Sequence, residues 1–281
     1  MKITKTKAFE YLTYGIANLA GRLRTWLLGK YAIAVVYDSE NGIIMSGPSD
    51  VFVGGNLGFR GYYEPEMVNS LIALTTPESR VLILGTHVGS VLIPLAKKVR
   101  EVVAYEANPK TYRMLAMNLK LNDIENCQAH NFAVSDKGGT LEFMAHHINS
   151  GGSKRKPSQD YLIYKIDNPN VIEVPAVRLD DHLADPKFDL VLVDIEGSEY
   201  FAFQGMQKVL AACTILQFEF LPDGLKQIAN VTVDDFANAL GDHFSEVRVQ
   251  GTERVARRGE IRALLHEIYA QGHGVDILAT K

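Results

Sequence analysis

The stretch RVLILGTHVGSVLIPLAKKVREVVAYEAN, residues 80–108, decides how the rest of the chain is read. Residues 81–84 are an unbroken apolar run that predicts a buried strand, and residues 102–105 repeat it. Between them Gly85 and Gly89 bracket a turn, and residues 90–99 have the spacing of a short helix. Glycine at both ends of the turn lets backbone approach a ligand where the helix begins. The second strand ends on Glu106, 17 residues past Gly89. A carboxylate there accepts hydrogen bonds from both hydroxyls of a ribose. The stretch is half of a nucleotide-binding βαβ unit, and an adenosine is the ligand it predicts.

Downstream, the units repeat. Asn108-Pro109 predicts a helix with Asn as its cap and Pro at the first position. A third strand is expected at 126–134, a strand at 140–144, another at 171–177, and a central buried strand at 188–193 that runs into Asp194 and Glu196. Further strands follow at 214–220, 244–250 and 275–280, with helices at 233–240 and 261–270. Successive β-α units make a doubly wound, mostly parallel α/β sheet with helices on both faces. Ligands bind such sheets at the carboxyl ends of the strands, and Glu106, Asp194, Glu196 and Glu219 all fall there. Residues 145–170 are polar and glycine-rich, with Lys154, Arg155 and Lys156 together, and read as a lid or binding loop or as a disordered insertion.

Upstream, residues 1–30 read as an amphipathic helix with Phe9, Leu12, Ile16, Leu19, Leu23 and Trp26/Leu27 on one face. Six basic residues against Glu10 give it a net charge of +5. Its apolar face is expected to pack on the core or on a second copy of the chain, the other reading being a membrane-surface or partner-binding helix. Residues 31–45 predict a β-hairpin closed by Asn41-Gly42. Residues 51–58 (VFVGGNLG) look like a second strand running into glycines, and residues 66–74 like a helix. The organisation expected is an N-terminal extension, 1–60, and one catalytic domain, 61–281.

A net charge of −4 offers no general attraction to nucleic acid. Cys127 and Cys213 lie in apolar runs and read as buried free thiols. No apolar run approaches the roughly 18 residues of a membrane span, and no signal-peptide core is visible, so a cytoplasmic protein is expected.

The segments AYEANPKTYRMLAMNLKLN (104–122), FAVSD (132–136), NSGGS (149–153), VPAVRLDDHL (174–183) and VLVDIEGSEYFAFQGM (191–206) follow the glycine turn in order. Together they resemble the FkbM-type S-adenosylmethionine-dependent methyltransferases over roughly residues 60–220. The resemblance implies a class I methyltransferase fold, a seven-stranded sheet whose last strand inserts antiparallel. It implies S-adenosyl-L-methionine as cofactor and O-methyl transfer to a sugar, polyketide or other small natural-product acceptor. By position, Gly85, Thr86, His87 and Gly89 would line the methionine and ribose end, with Glu106, Ala107 and Asn108 around the ribose. Phe132 and Ala133 would flank the adenine, and Asp194 would face the methyl group. The sequence departs from the family at Ile83, where an acid is usual, at Thr86-His87, where Ala-Asn is usual, and at Leu192, where a lysine is common. Glu64 or Asp194 would then take over the missing acid's part in holding the cofactor's ammonium group.

Methyl transfer to a hydroxyl needs positioning and a proton acceptor. Asp194 is the first candidate, followed by Glu196, Glu219 and His147. No metal is expected. Two competing readings are an NAD-dependent oxidoreductase and a degenerate fold acting as a non-catalytic binding subunit. Against the first, GTHVGS lacks the GxGxxG that admits a pyrophosphate. Against the second, Glu106 and the acids after residue 193 are retained. The expected partners are a small-molecule acceptor and a second copy bound through the N-terminal helix.

Overall fold

A computed structural model of the chain describes residues 5–158 and 161–281. The main sheet has strands β1 (Arg80–Leu84), β2 (Glu101–Tyr105), β3 (Cys127–His130), β4 (Leu190–Val193), β5 (Ile215–Phe220), β6 (Glu246–Val249), β7 (Val255–Arg257) and β8 (Val275–Thr280). Their spatial order is β7-β6-β8-β5-β4-β1-β2-β3. Strands β1 to β5 are parallel, and β8 enters antiparallel between β5 and β6. This is the class I methyltransferase sheet, with β7 added at its edge as an eighth strand paired to β6. Along β1, Leu82 and Leu84 enter one core while Val81 and Ile83 enter the other. Both faces are apolar because both are covered, which is why the strands read as continuous hydrophobic runs.

The helices that position the site are α1 (Lys5–Leu28), α2 (Val53–Arg60), α3 (Pro65–Ala73), α4 (Leu92–Ala96) and α5 (Pro109–Leu121). Asn108 caps α5 as expected, its side chain accepting the Lys110 N–H at 3.0 Å. Three expectations are corrected. Residues 51–58 are not a strand but run into α2, where a Cβ on Gly54 would meet the Ser46 hydroxyl at 2.2 Å and one on Gly58 the Tyr37 ring at 2.9 Å. The glycines let the helix lie directly on the hairpin. The strand expected at 126–134 splits, because Asn131 turns aside to donate to the carbonyls of Glu106 and Ala107 at 2.8 and 3.1 Å. Ala133–Val134 then join a second, four-stranded sheet with Gly139–Ala145, Lys154–Arg155 and Asn170–Val177.

The third correction concerns α1. Its core-facing side is small and polar. The Asn18 amide donates to the Ile166 carbonyl at 2.8 Å, and a Cβ on Gly21 would lie 2.7 Å from the Ser49 carbonyl oxygen. Leu12, Ile16, Leu19, Leu23, Trp26 and Leu27 face away and are exposed. Phe9 lies outside the residues whose side chains are described. The apolar face therefore does not pack on the core.

The hairpin, Val35–Ser39 with Gly42–Ser46, is tied to α5 by amide side chains in place of a third strand. Asn118 accepts the Met45 N–H at 2.7 Å and donates to the carbonyls of Met45 at 2.9 Å and Val88 at 2.8 Å. Asn122 makes the same paired contact with Ile43, at 3.0 and 2.8 Å. Asn118 is fully buried, so its loss strands three backbone groups without water. Asn118→Ala is expected to lower unfolding free energy by about 2–4 kcal/mol in urea titrations, against about 1 kcal/mol for the half-buried Asn122→Ala.

Candidate active site

The carboxyl ends of β1, β2 and β4 open onto a cavity of about 290 Å³. It lies where the chain order reverses between β1 and β4, the switch point at which loops diverge and leave a crevice. Gly85 has φ +85°, and a Cβ there would stand 1.7 Å from the Asp194 carbonyl oxygen. The Asp194 N–H in turn donates to the Leu84 carbonyl at 3.0 Å. Only a glycine lets these two strand ends meet this closely.

Glu106 follows β2 and is buried. One carboxylate oxygen accepts the Asn108 N–H at 2.8 Å and the other the His87 N–H at 2.9 Å. Burial pushes its pKa up to about 7, and these two N–H groups oppose the shift. Each oxygen keeps a lone pair free for a further donor.

His87 has φ +50°, a left-handed conformation that is uncommon outside glycine. Its Nε2 lies 2.7 Å from the Ser150 hydroxyl, which donates to Asp50 Oδ2 at 2.5 Å. Since the serine proton is committed to Asp50, His87 donates through Nε2 and its Nδ1 is the bare nitrogen. Burial lowers the ring's pKa, in keeping with that neutral form. Nδ1 is buried without a protein partner, as is the Thr86 hydroxyl. Asp50, fully buried, also accepts the N–H groups of Phe52 and Val53 at the start of α2, at 3.1 and 3.0 Å.

On the β4 side, Asp194, Ile195 and Glu196 form a tight turn with Glu196 at φ +56°. The buried Glu199 holds this turn, one oxygen accepting the N–H groups of Ile195 at 3.1 Å and Gly197 at 3.2 Å. Burial raises the Glu199 pKa to about 7. Asp194 is raised well above the ordinary carboxylate range, first by burial and then by Glu196, Glu199, Asp276 and Glu64. Glu64, at φ +47° before α3, is raised by burial and by Asp276 and Glu66. Glu196 meets the Lys154 ammonium at 3.0 Å. Against the downward pull of burial, that carboxylate raises the Lys154 pKa.

Gly85, Thr86, His87, Glu106, Ala107, Phe132, Ala133, Glu64, Asp194 and Glu196 thus lie together around one cavity. Asn108 reaches it through Glu106, and Gly89 packs behind the turn against Leu115. Two expected residues do not line this wall. His147 borders a second cavity, its N–H on Asp167 at 2.7 Å. Glu219 sits opposite Asp276 in the β5-β8 pairing, and burial with the surrounding acids pushes its pKa far up. Within the basic triplet the two lysines are paired with acids, Lys154 as above, whereas Arg155 lines the cavity and meets neutral groups. Arg155 bonds the Ser135 hydroxyl at 2.6 Å and stacks over Phe201, while Lys156 pairs with Glu142 at 2.8 Å.

Reading the sequence missed Asp50, Ser150 and Glu199. Asp50 had no motif to mark it. Ser150 lay within NSGGS, and Glu199 is five residues past Asp194, close enough to suspect a turn-holding role.

The family model of the FkbM methyltransferase domain matches residues 84–253. Among solved structures, the chain is similar to the FkbM methyltransferase of Methylobacillus flagellatus KT at 12% identity over 73% of this chain and 44% of that one, with a TM-score of 0.40. The magnesium protoporphyrin IX methyltransferase of Synechocystis PCC 6803, solved with bound SAM, gives 16% identity over 77% and 78%, with a TM-score of 0.40. Precorrin 8w decarboxylase of Methanobacterium thermoautotrophicum gives 13% over 79% and 92%, with a TM-score of 0.41. The chain spans less than half the length of the Methylobacillus protein. No curated protein matches it.

The buried acids set a pH dependence of stability. Glu106 and Glu199 have folded-state pKa values of about 7, above the unfolded carboxyl near 4.3. Their contribution is complete below the unfolded value and is lost as pH rises through about 7. Urea midpoints of the ligand-free chain are expected to fall between about pH 5.5 and pH 8, and Glu199→Gln to flatten that slope.

Proposed function

The chain belongs to the FkbM methyltransferase family, and we propose that it transfers a methyl group from S-adenosyl-L-methionine to a hydroxyl of a sugar, polyketide or other small natural product. The observation that carries this reading is Glu106, a buried carboxylate aligned by two backbone N–H groups with acceptor capacity left for a ribose diol. The donor set fits the rest of that cofactor. Glu64, Asp194 and Glu196 share the cavity wall, and their mutual repulsion is relieved by a cation. An ammonium and a sulfonium supply one, whereas the pyrophosphate of NAD would add negative charge to a wall on which Glu64, Glu106, Asp194 and Glu196 outnumber Arg155. His87, filling the glycine turn, also stands where a pyrophosphate would need open backbone.

When bound, the cofactor supplies an electrophilic methyl group on positively charged sulfur. Glu106 would hold the ribose, and Phe132 with Ala133 would border the adenine. Glu64 is assigned to the ammonium group, in place of the acid that Ile83 replaces. Asp194 takes the acceptor hydroxyl's proton as the new oxygen–carbon bond forms and the carbon–sulfur bond breaks. A cation beside it opposes the upward pKa shift and keeps it ionised for that role. Lys154 fixes Glu196 away from competing for the proton. Phe52, Tyr63, Met67 and Phe143 give the cavity apolar walls that exclude water from the reacting groups.

Calorimetric titration with S-adenosylmethionine, S-adenosylhomocysteine and NAD tests the binding half. Micromolar affinity for the first two, none for NAD, and a loss of at least about ten-fold in Glu106→Ala are expected. No binding of any of the three sinks the enzyme reading and leaves the non-catalytic one. Because only ionised Glu106 accepts both ribose hydroxyls, S-adenosylhomocysteine affinity should rise about ten-fold from pH 6 to pH 8, less in Glu106→Gln. In a labelled-methyl screen of hydroxylated acceptors, Asp194→Asn should lower turnover by about 10²–10⁴-fold. Turnover at the wild-type rate in that variant removes Asp194 as proton acceptor.

A further inference from the structure

Helix α1 is amphipathic in the opposite sense to a helix packed on a core. Tyr14, Asn18, Gly21 and Thr25, spaced at four, three and four residues, form the side turned to the protein. Tyr14 meets the Phe52 ring at 5.4 Å between centroids, Asn18 bonds Ile166, and Gly21 closes on Ser49. On the opposite side Leu12, Ile16, Leu19, Leu23, Trp26 and Leu27 are between 55% and 75% exposed. Past the helix, Tyr31 and Ile33 are exposed as well, with the Lys30 ammonium 4.9 Å from the centre of the Tyr31 ring. An apolar stripe this exposed marks a contact surface.

Charge says what it contacts. Residues 1–30 carry +5 and the whole chain −4, so the remaining 251 residues carry −9. Two copies of α1 laid stripe to stripe would bring two +5 segments together. Glu10 is the one acid in this segment available to oppose them, whereas paired helices use complementary charges along the seam. An anionic lipid surface complements the helix and repels the acidic body, which orients the molecule with α1 down. Trp26 and Tyr31 beside Arg22 and Lys30 match the headgroup level, where an aromatic ring is half in hydrocarbon and half in water. No helix among the described residues is long and apolar enough to cross a membrane, and the inner side of α1 is bonded to the protein. The helix would therefore lie in the interface plane.

We propose that α1 docks the protein on an anionic membrane surface, seating its outward apolar stripe in the lipid while Arg22 and Lys30 meet the headgroups; Arg24 turns inward to the Asp50 carbonyl at 3.0 Å. This goes beyond the methyl-transfer reading and stands or falls separately from it.

The test is flotation of the full chain with phosphatidylcholine vesicles and with vesicles containing about 30% phosphatidylglycerol. Binding is expected to the anionic vesicles, at least about ten-fold tighter than to neutral ones, and weakened in about 0.5 M salt. The double variant Leu19→Glu/Leu23→Glu should lose binding by at least about ten-fold, with an unchanged urea midpoint and unchanged cofactor titration. Arg22→Glu/Lys30→Glu, which leaves the stripe intact, should lose the preference for anionic lipid and serves if the first variant fails to fold. Absence of wild-type binding, or equal binding to both vesicles, overturns the proposal. So does a dimer, seen by light scattering, that Leu19→Glu/Leu23→Glu dissociates while neither protein floats with vesicles.

Discussion

The structure depends on one close approach, between Gly85 at the end of β1 and the carbonyl of Asp194 at the end of β4. These strands are neighbours, yet the chain leaves them in opposite directions, toward β2 on one side and β5 on the other. Where the connections part, the sheet cannot cover its own rim, and a crevice results. The missing Cβ at Gly85 lets the two turns touch at the crevice floor. That contact sets the distance between the acid that follows β2 and the acids that follow β4. A side chain there would force apart both halves of the site.

The second constraint is electrostatic. Glu64, Glu106, Asp194, Glu199, Glu219 and Asp276 all have raised pKa values, with burial as the leading cause. They divide by what surrounds them. Glu106 and Glu199 are met by backbone N–H groups and hold loops in place. Glu196 has Lys154. Asp194 and Glu64 line the cavity, form no ion pair among the described residues and repel each other, so the site favours positive charge. The His87–Ser150–Asp50 chain performs a different task. It couples the glycine turn to the loop at 147–151 and to the start of α2, tying the segment before β1 to the floor of the cavity.

Much of this was legible in the sequence. Gly85, Gly89 and Glu106 could be placed because a strand, a tight turn, a helix and a second strand are local events, each written in apolar runs and glycine spacing. The strand at Val275–Thr280 and the helix at Val233–Leu240 match their expected bounds for the same reason. Residues 51–58 misled because β-branched and aromatic residues favour strands, while the glycines that looked like a loop were cut for close packing against Tyr37 and Ser46. Asp50 and Ser150, 100 residues apart, carry no joint signal until the fold brings them within 2.5 Å.

The N-terminal helix shows where the division lies. Its amphipathicity belongs to the sequence, since a 3.6-residue period places Leu12, Ile16, Leu19 and Leu23 on one side of any helix they form. Which side meets the protein is a tertiary matter, decided by Gly21 fitting against Ser49 and Asn18 finding the Ile166 carbonyl. The same holds at the site. Sequence alone determined the strand-end acids and the glycine turn, because these follow from backbone conformation and short-range periodicity. Only the tertiary structure decided which acids share a wall, which carry a partner, and which face of α1 is left to another surface. Those outcomes rest on contacts between residues far apart in the chain, whose energies depend on burial and distance that no local pattern specifies.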